Sequence, residues 1–251
     1  MSNFIPVLQS SSESGADIPF MIEGLFSYKL FGQTFWITTS HVCILIVMLI
    51  LIGFAVAANI TIRKAQEVPG TFQNIVELIV DTLENLIVGT MGKKGRVFVN
   101  YISTIFLFIL ISNVSGLFGL RPPTADYGTT LALGLITFFI IHTMQIRNHK
   151  PKEIWEELCS PLPPWLPIWV PISIIEELAV PVSLSLRLFA NILSGVLIMA
   201  LLYAVLTPVA IAWPSVLHGY FDLFMGAIQA YVFCILTMTY TKNAMGEHEE
   251  A

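Results

Sequence analysis

The chain has 251 residues, of which 55 % are hydrophobic and only 12 % are charged. Soluble domains carry about 25 % charged residues, so an ordinary water-soluble fold is excluded and a single-domain polytopic membrane protein is indicated. The formal net charge of −5 resides mostly in termini and loops, and no basic patch points to nucleic acid.

Residues 1–35 read as an N-terminal segment outside the membrane. The first twenty are polar and lack a cationic start followed by a short apolar run. Neither a cleavable signal nor an Arg-rich transit peptide is therefore expected, and insertion falls to the transmembrane helices themselves. The first span is expected over 36–58, with His41 its one ionisable group; at 1.5 Å per residue it covers about 34 Å, enough for a hydrocarbon core of about 30 Å. Residues 72–90 differ. Phe72, Ile75, Val76, Ile79, Leu83, Leu86 and Ile87 recur every three or four positions, with Glu77, Asp81 and Glu84 on the other side. This is an amphipathic helix suited to a membrane surface or to packing beside other helices.

Spans follow over 98–120 and 125–146, separated by Arg121-Pro122-Pro123. A charged loop, 147–157, leads to five prolines within 161–171, which read as an irregular interfacial or re-entrant entry. Residues 176–206 are then apolar apart from Glu176, Glu177 and Arg187. An upright helix of that length would reach about 46 Å, so it must tilt, bend at Pro181 or protrude. The last helix is expected over 216–240, which makes 161–240 a long tilted hairpin, and 241–251 form a hydrophilic tail. The fold class is an all-α polytopic membrane protein: three spans, the hairpin and one interfacial helix.

Orientation follows from the twelve basic residues. With the N-terminus outside, Arg63, Lys64, Lys93, Lys94, Arg96, Arg147, Lys150, Lys152 and Lys242 all lie inside, whereas only Lys29 and Arg121 lie outside. Nine against two is a strong positive-inside bias and puts the C-terminus in the cytoplasm. Cys43, Cys159 and Cys234 lie far apart, without metal-type spacing, and read as free thiols.

Arg187 is the costliest residue in the chain, since an arginine at mid-helix is worth about 2.5–3.5 kcal/mol against insertion and stays protonated. Snorkelling to an interface would be the bland explanation. Eleven residues precede Arg187 in its expected helix and nineteen follow, which makes that less natural. Ser183, Asn191 and Ser194, at i−4, i+4 and i+7, share its face, and Gly195 widens the strip. Such small and polar residues suit close packing against another protein surface. On the last helix His218, Asp222, Gly226 and Gln229 form a second strip. Together they could line a hydrated passage for protons, although Asp222 could instead pair with Arg187 and His218 could simply be interfacial. Glu176 and Glu177 could stabilise their helix start through its dipole or sit at a channel mouth. No P-loop, HExxH, nucleophile elbow or cysteine cluster is present, so the chain is expected to move something rather than transform it, with no catalytic chemistry or cofactor of its own.

The run from Pro181 through Arg187 and Asn191 to Gly195 closely resembles the signature of subunit a of F-type ATP synthases. Ile228-Gln-Ala-Tyr-Val-Phe233 looks like that family's last-helix motif. The stretch Pro123-Thr-Ala-Asp126 with Thr129-Thr-Leu131 resembles its fourth-helix entry, and Asn113 falls where the family has an asparagine. The resemblance runs from Trp36 to Tyr240. It implies a bacterial plasma-membrane subunit coupling proton flow, or sodium flow, to rotation of a c-subunit ring, beside the b subunits of the peripheral stalk and the rest of the complex. It further implies that Arg187 faces the ring carboxyls, that Asn191 and Gln229 flank it, and that Asp222 lies in an access channel. One departure is Val196, where many members have an ionisable Glu or His; position 173, often acidic, is Ser173. Asp222, with His218, Glu176 or Glu177, must then carry more of the relay. A secondary transporter using Arg187 as substrate ligand is the competing class, but such folds usually show related halves, and no internal repeat is found here.

Overall fold

The computed structural model describes residues 24–30, 33–63, 70–118, 120–150, 152, 170–205 and 213–246. A two-stranded antiparallel hairpin comes first, β1 (Gly24–Leu30) and β2 (Gln33–Thr38), with Ser27 opposite Trp36. Helix α1 (Thr39–Arg63) follows directly. Trp36 thus belongs to the hairpin, and the first helix starts three residues later than the expected 36. The run Gln33-Thr-Phe-Trp-Ile-Thr38 is β-branched and aromatic, which favours a strand, and the 25-residue helix is long enough without it. Apart from this hairpin the described chain is helical.

Five helical stretches have the length and apolarity to cross a membrane: Thr39–Arg63, Lys93–Phe118, Tyr127–Asn148, Pro171–Leu202 and Val216–Ala244. The protein is therefore a multi-pass membrane protein. The second is α3 (Val99–Val114) between 3₁₀ turns at Lys93–Phe98 and Ser115–Phe118, and the third is α4 (Tyr127–Asn148). The fourth, α5 (Val170–Val205), runs 36 residues through Pro181 without a break in the helical run. It begins six residues before the expected 176, so Glu176 and Glu177 stand nearly two turns inside it rather than at its start. The irregular entry expected over 161–171 lies outside the described residues but for Val170 and Pro171, which are helical. The last span comprises α6 (Trp213–His218), a π-helical stretch (Gly219–Met225) and α7 (Gly226–Ala244). An insertion of this kind, with i→i+5 bonding, is typical of functional sites.

Helix α2 (Thr71–Met91) is amphipathic as expected, but its protein-facing stripe is Gln73, Val76, Leu83, Ile87 and Met91. Phe72, Ile75 and Leu78 point outward. The same inversion marks α1, where Leu45, Leu49, Ile52, Val56 and Ile60 are all about half exposed or more. Lipid-facing positions are as apolar as core positions, so hydropathy alone does not tell them apart.

The core joins α2, α3, α5 and α7 through Ile87, Ile102, Ile109, Leu188, Phe233 and Met238, all at most 2 % exposed. Two close approaches set the packing around it. Gly134 of α4 lies against α5, where a Cβ would stand 2.8 Å from the Pro181 carbonyl oxygen. Near one end of α3, Asn113 Nδ2 donates to the Gly226 carbonyl at 2.9 Å. At the opposite end the ring of His149 meets the turn at Gly246, whose φ of 74° suits glycine.

Overpacking a close contact costs about 1–3 kcal/mol. Gly134→Ala is therefore expected to lower the thermal midpoint of the detergent-solubilised protein. Gly53→Ala, where a Cβ meets nothing within 4 Å, is the control and should hold the parent midpoint. Equal midpoints for the two variants would remove Gly134 as the α4–α5 contact.

Candidate functional site

Arg187 stands at the middle of α5, on the side away from the protein core. One stripe of the helix is buried: Pro181, Leu184, Ser185, Leu188, Ile192, Gly195 and Met199. The opposite stripe is exposed and reads Leu178, Val182, Ser183, Leu186, Arg187, Ala190, Ser194, Leu197 and Leu201. Among the described residues the Arg187 guanidinium has no hydrogen-bond or ion-pair partner. A permanent cation thus sits in an exposed surface of apolar and small residues, at the middle of a helix long and apolar enough to cross a membrane, which hydrocarbon alone would not tolerate cheaply. Ser183 and Ser194 share this exposed face as expected, and Asn191 is half-buried beside it. Gly195 does not belong there: it is buried, with a Cβ position 3.6 Å from the Phe221 side chain.

The second strip resolves differently from its reading as a single face. His218 Nδ1 and Asp222 Oδ2 are 2.8 Å apart, with side chains 33 % and 18 % exposed. Asp222 therefore pairs with His218 and not with Arg187. Its carboxyl group also abuts Gly116, where a Cβ would lie 3.0–3.2 Å from the carboxyl atoms. Gly116 makes room for an acid at the protein interior. Gly226 is buried against Asn113, with its Cβ position 2.7 Å from the Asn113 Cβ, while Gln229 is half-buried.

Asn113, 1 % exposed, joins three elements at this end. It donates to the Gly226 carbonyl and accepts from Thr124 Oγ1 at 2.7 Å. In the helix above, the π-helical stretch leaves main-chain groups out of α register, and the asparagine satisfies one carbonyl just beyond it. Asp126 is an N-cap: its Oδ1 accepts from the Gly128 N–H at 3.1 Å and starts α4. Asn113 thus ties the end of α3 to the span that carries Asp222, and Asp126 fixes the start of α4.

A further ionisable pair lies at the other end, where the sequence drew attention only to Glu176 and Glu177. Glu176 is exposed. Glu177 Oε1 is 3.2 Å from His142 Nε2 of α4, both side chains about one-third exposed. His142 also packs on Phe138, ring centroids 4.4 Å apart. It was legible in one respect, as an ionisable residue well inside the expected span 125–146, where Asp126 stands only at the entry, and such residues are rare in transmembrane helices. Its partner was not legible, because it comes from another helix. Tyr127 and Phe189, 5.5 Å apart edge to face, tie α4 to α5 near Arg187.

The chain is similar to known proteins over most of its length. The family described as ATP synthase A chain matches residues 41–242. ATP synthase subunit a 3 of Pelobacter propionicus is 36 % identical over 209 residues, 83 % of this chain and 87 % of that protein. ATP synthase subunit a of a Geobacter species is 34 % identical over 201 residues, 80 % of this chain and 85 % of its own length. ATP synthase subunit a 1 of Syntrophotalea carbinolica is 37 % identical over 203 residues, 80 % of this chain and 83 % of its own.

Asn113→Leu would leave the Gly226 carbonyl and the Thr124 hydroxyl without these partners, at a cost of about 1–3 kcal/mol. A lower thermal midpoint of the solubilised protein is the expected result; an unchanged midpoint would mean that other groups take over both bonds.

Proposed function

The chain belongs to the ATP synthase A chain family, and from that premise we propose that it is the ion-conducting stator subunit of a rotary ATP synthase. The observation that carries this reading is Arg187 itself: a mid-helix cation on an exposed face of apolar and small residues. Such a face needs a partner surface that brings a carboxylate. A ring of c subunits, each with one buried carboxyl group, meets that requirement.

Each ring carboxylic acid that approaches Arg187 comes into the field of a fixed positive charge, which favours its ionised form. Its proton leaves toward one aqueous access path. The carboxylate passes the arginine, is reprotonated from the other path and returns to lipid as a neutral group. Arg187 also bars a direct leak, because a proton moving between the paths would have to pass a permanent cation. The driving force is about 2.3 kcal/mol per charge per 100 mV.

One access path is assigned to Asp222 and His218, whose paired side chains are partly exposed beside Gly116. The other is assigned to the Glu176–Glu177 end of α5. Asn191 and Gln229, both half-buried, and the exposed hydroxyls of Ser183 and Ser194 flank the arginine. Asn113 serves this site by holding the last span at the Gly226 carbonyl, and Asp126 by starting α4. The basic-residue distribution supports an N-terminus outside and a C-terminus in the cytoplasm of a bacterial plasma membrane. The translocated ion is the proton, and the b subunits of the peripheral stalk hold the chain against the ring. The family match leaves the secondary-transporter alternative without support.

Two measurements test this. In inverted vesicles, the Arg187→Ala complex is expected to lose ATP-driven pumping altogether, and Arg187→Lys most of it, because a lysine cannot reproduce the planar, always-charged fork. Normal pumping by Arg187→Ala would end the proposal. ATP hydrolysis assayed with and without sodium at several pH values should show no sodium activation; strong activation at high pH would make sodium the ion.

A further inference from the structure

Away from Arg187 and Asp222, a cavity of about 160 Å³ opens between α4, α5 and the end of α7. Its polar lining is His142, Gln145, His149, Glu177, Tyr240 and Asn243. A cavity this size has room for several water molecules, and its walls offer them partners. It sits at the end of the bundle where α4 finishes and α5 begins, opposite the end that holds Asp222.

The His142–Glu177 pair is built in a way that a purely structural tie does not require. Nε2 faces the Glu177 carboxylate at 3.2 Å. Nδ1 is buried and has no hydrogen-bond partner among the described residues. In a fixed histidine the second nitrogen is held by its own partner, and that bond sets the tautomer. Here no such bond sets it, so Nε2 can either donate to Glu177 or accept from it. Among the described residues, the other titratable groups that line the cavity are His149, just past α4, and Tyr240 on α7, and no lysine or arginine lines it.

Glu177 is ten residues before Arg187 on one helix, about 15 Å along its axis at 1.5 Å per residue. The exposed Ser183 lies between them, one turn from the arginine. We propose that this cavity is a hydrated proton-exchange station, in which the His142–Glu177 pair relays protons between the Arg187 face and the water at the Arg147 end of the bundle. The proposal rests on the proton-path reading above and gives one of its two paths a position and a second residue, His142.

The chemistry is a proton relay that balances at each step. A proton reaching the Glu177 carboxylate makes a carboxylic acid. It crosses to His142 Nε2, leaving an imidazolium beside the restored carboxylate, and the same Nε2 then gives it to a cavity water, which becomes hydronium. The reverse sequence loads a proton from water. Only O–H and N–H bonds form and break.

The test uses membranes that carry the whole complex. Val180 lines the cavity, so Val180→Cys should react with a membrane-impermeant thiol reagent in inverted vesicles and resist it in right-side-out vesicles. His142→Gln keeps an amide that can bond Glu177 but cannot relay a proton. ATP-driven pumping should fall at least about tenfold in His142→Gln and in Glu177→Gln, in line with the loss of a positioned acid–base group. The dependence of pumping on pH at the cavity side should flatten in His142→Gln, whose amide neither takes up nor releases a proton. An unlabelled Val180→Cys, or parental pumping with the parental pH profile in His142→Gln, overturns the station. If His142→Gln does not assemble, Glu177→Gln and the labelling decide in its place. Should Arg187→Ala stop pumping while His142→Gln pumps normally, only the station falls; should Arg187→Ala pump normally, the proton-path reading falls with it.

Discussion

Hydrocarbon cannot solvate a charge or an unpaired main-chain group, and most of what is distinctive in this molecule follows from that constraint. Ionisable side chains inside the five apolar stretches are few, and each is handled in its own way. Asp222 is paired with His218 beside Gly116. Glu177 is paired with His142 at the edge of a polar cavity. Arg187 alone faces outward from the middle of its helix without a described partner. A fixed cation so placed is affordable only if another surface supplies a carboxylate, which is why the arginine and not either pair carries the proposed function.

The helix contacts serve the same requirement. Gly134 lets α4 approach the Pro181 carbonyl closely, which puts His142 within reach of Glu177 further along the same two helices. Gly116 leaves space that the Asp222 carboxyl fills, and Gly226 leaves space for Asn113. In lipid, small residues let helices approach until van der Waals contact and interhelical hydrogen bonds act. Each of these three glycines sits where a polar group from one helix meets another helix. The π-helical stretch at Gly219–Met225 adds to this by altering the register of the last span around Asp222.

Much of the architecture was legible in the chain itself. Long apolar runs gave the spans to within a few residues, because a run long enough to cross hydrocarbon has few other uses. The break at Arg121-Pro122-Pro123 fell where expected, whereas Pro181 left its helical run unbroken. Boundaries erred where a second propensity competed, as at Trp36, which pairs in a strand instead of starting a helix. The apolar stripe of α2 was found, but Phe72 and Ile75 within it face outward, since lipid-facing and core-facing positions have the same chemistry.

Within the site, the sequence by itself determined Arg187 and its exposed neighbours Ser183 and Ser194, because the cost of a guanidinium in the middle of an apolar span is a local property of one helix. It also determined that Asp222 and His218 could meet, being four residues apart on one helix. Tertiary structure alone decided the rest. Which partner Asp222 takes, that Gly195 turns inward, that Asn113 bridges α3 and α7, and that His142 meets Glu177 all depend on how separate helices are rotated against each other. That rotation is set by close-packed contacts such as Gly134 against Pro181, and a one-dimensional apolar pattern leaves it open because lipid rewards every rotation about equally.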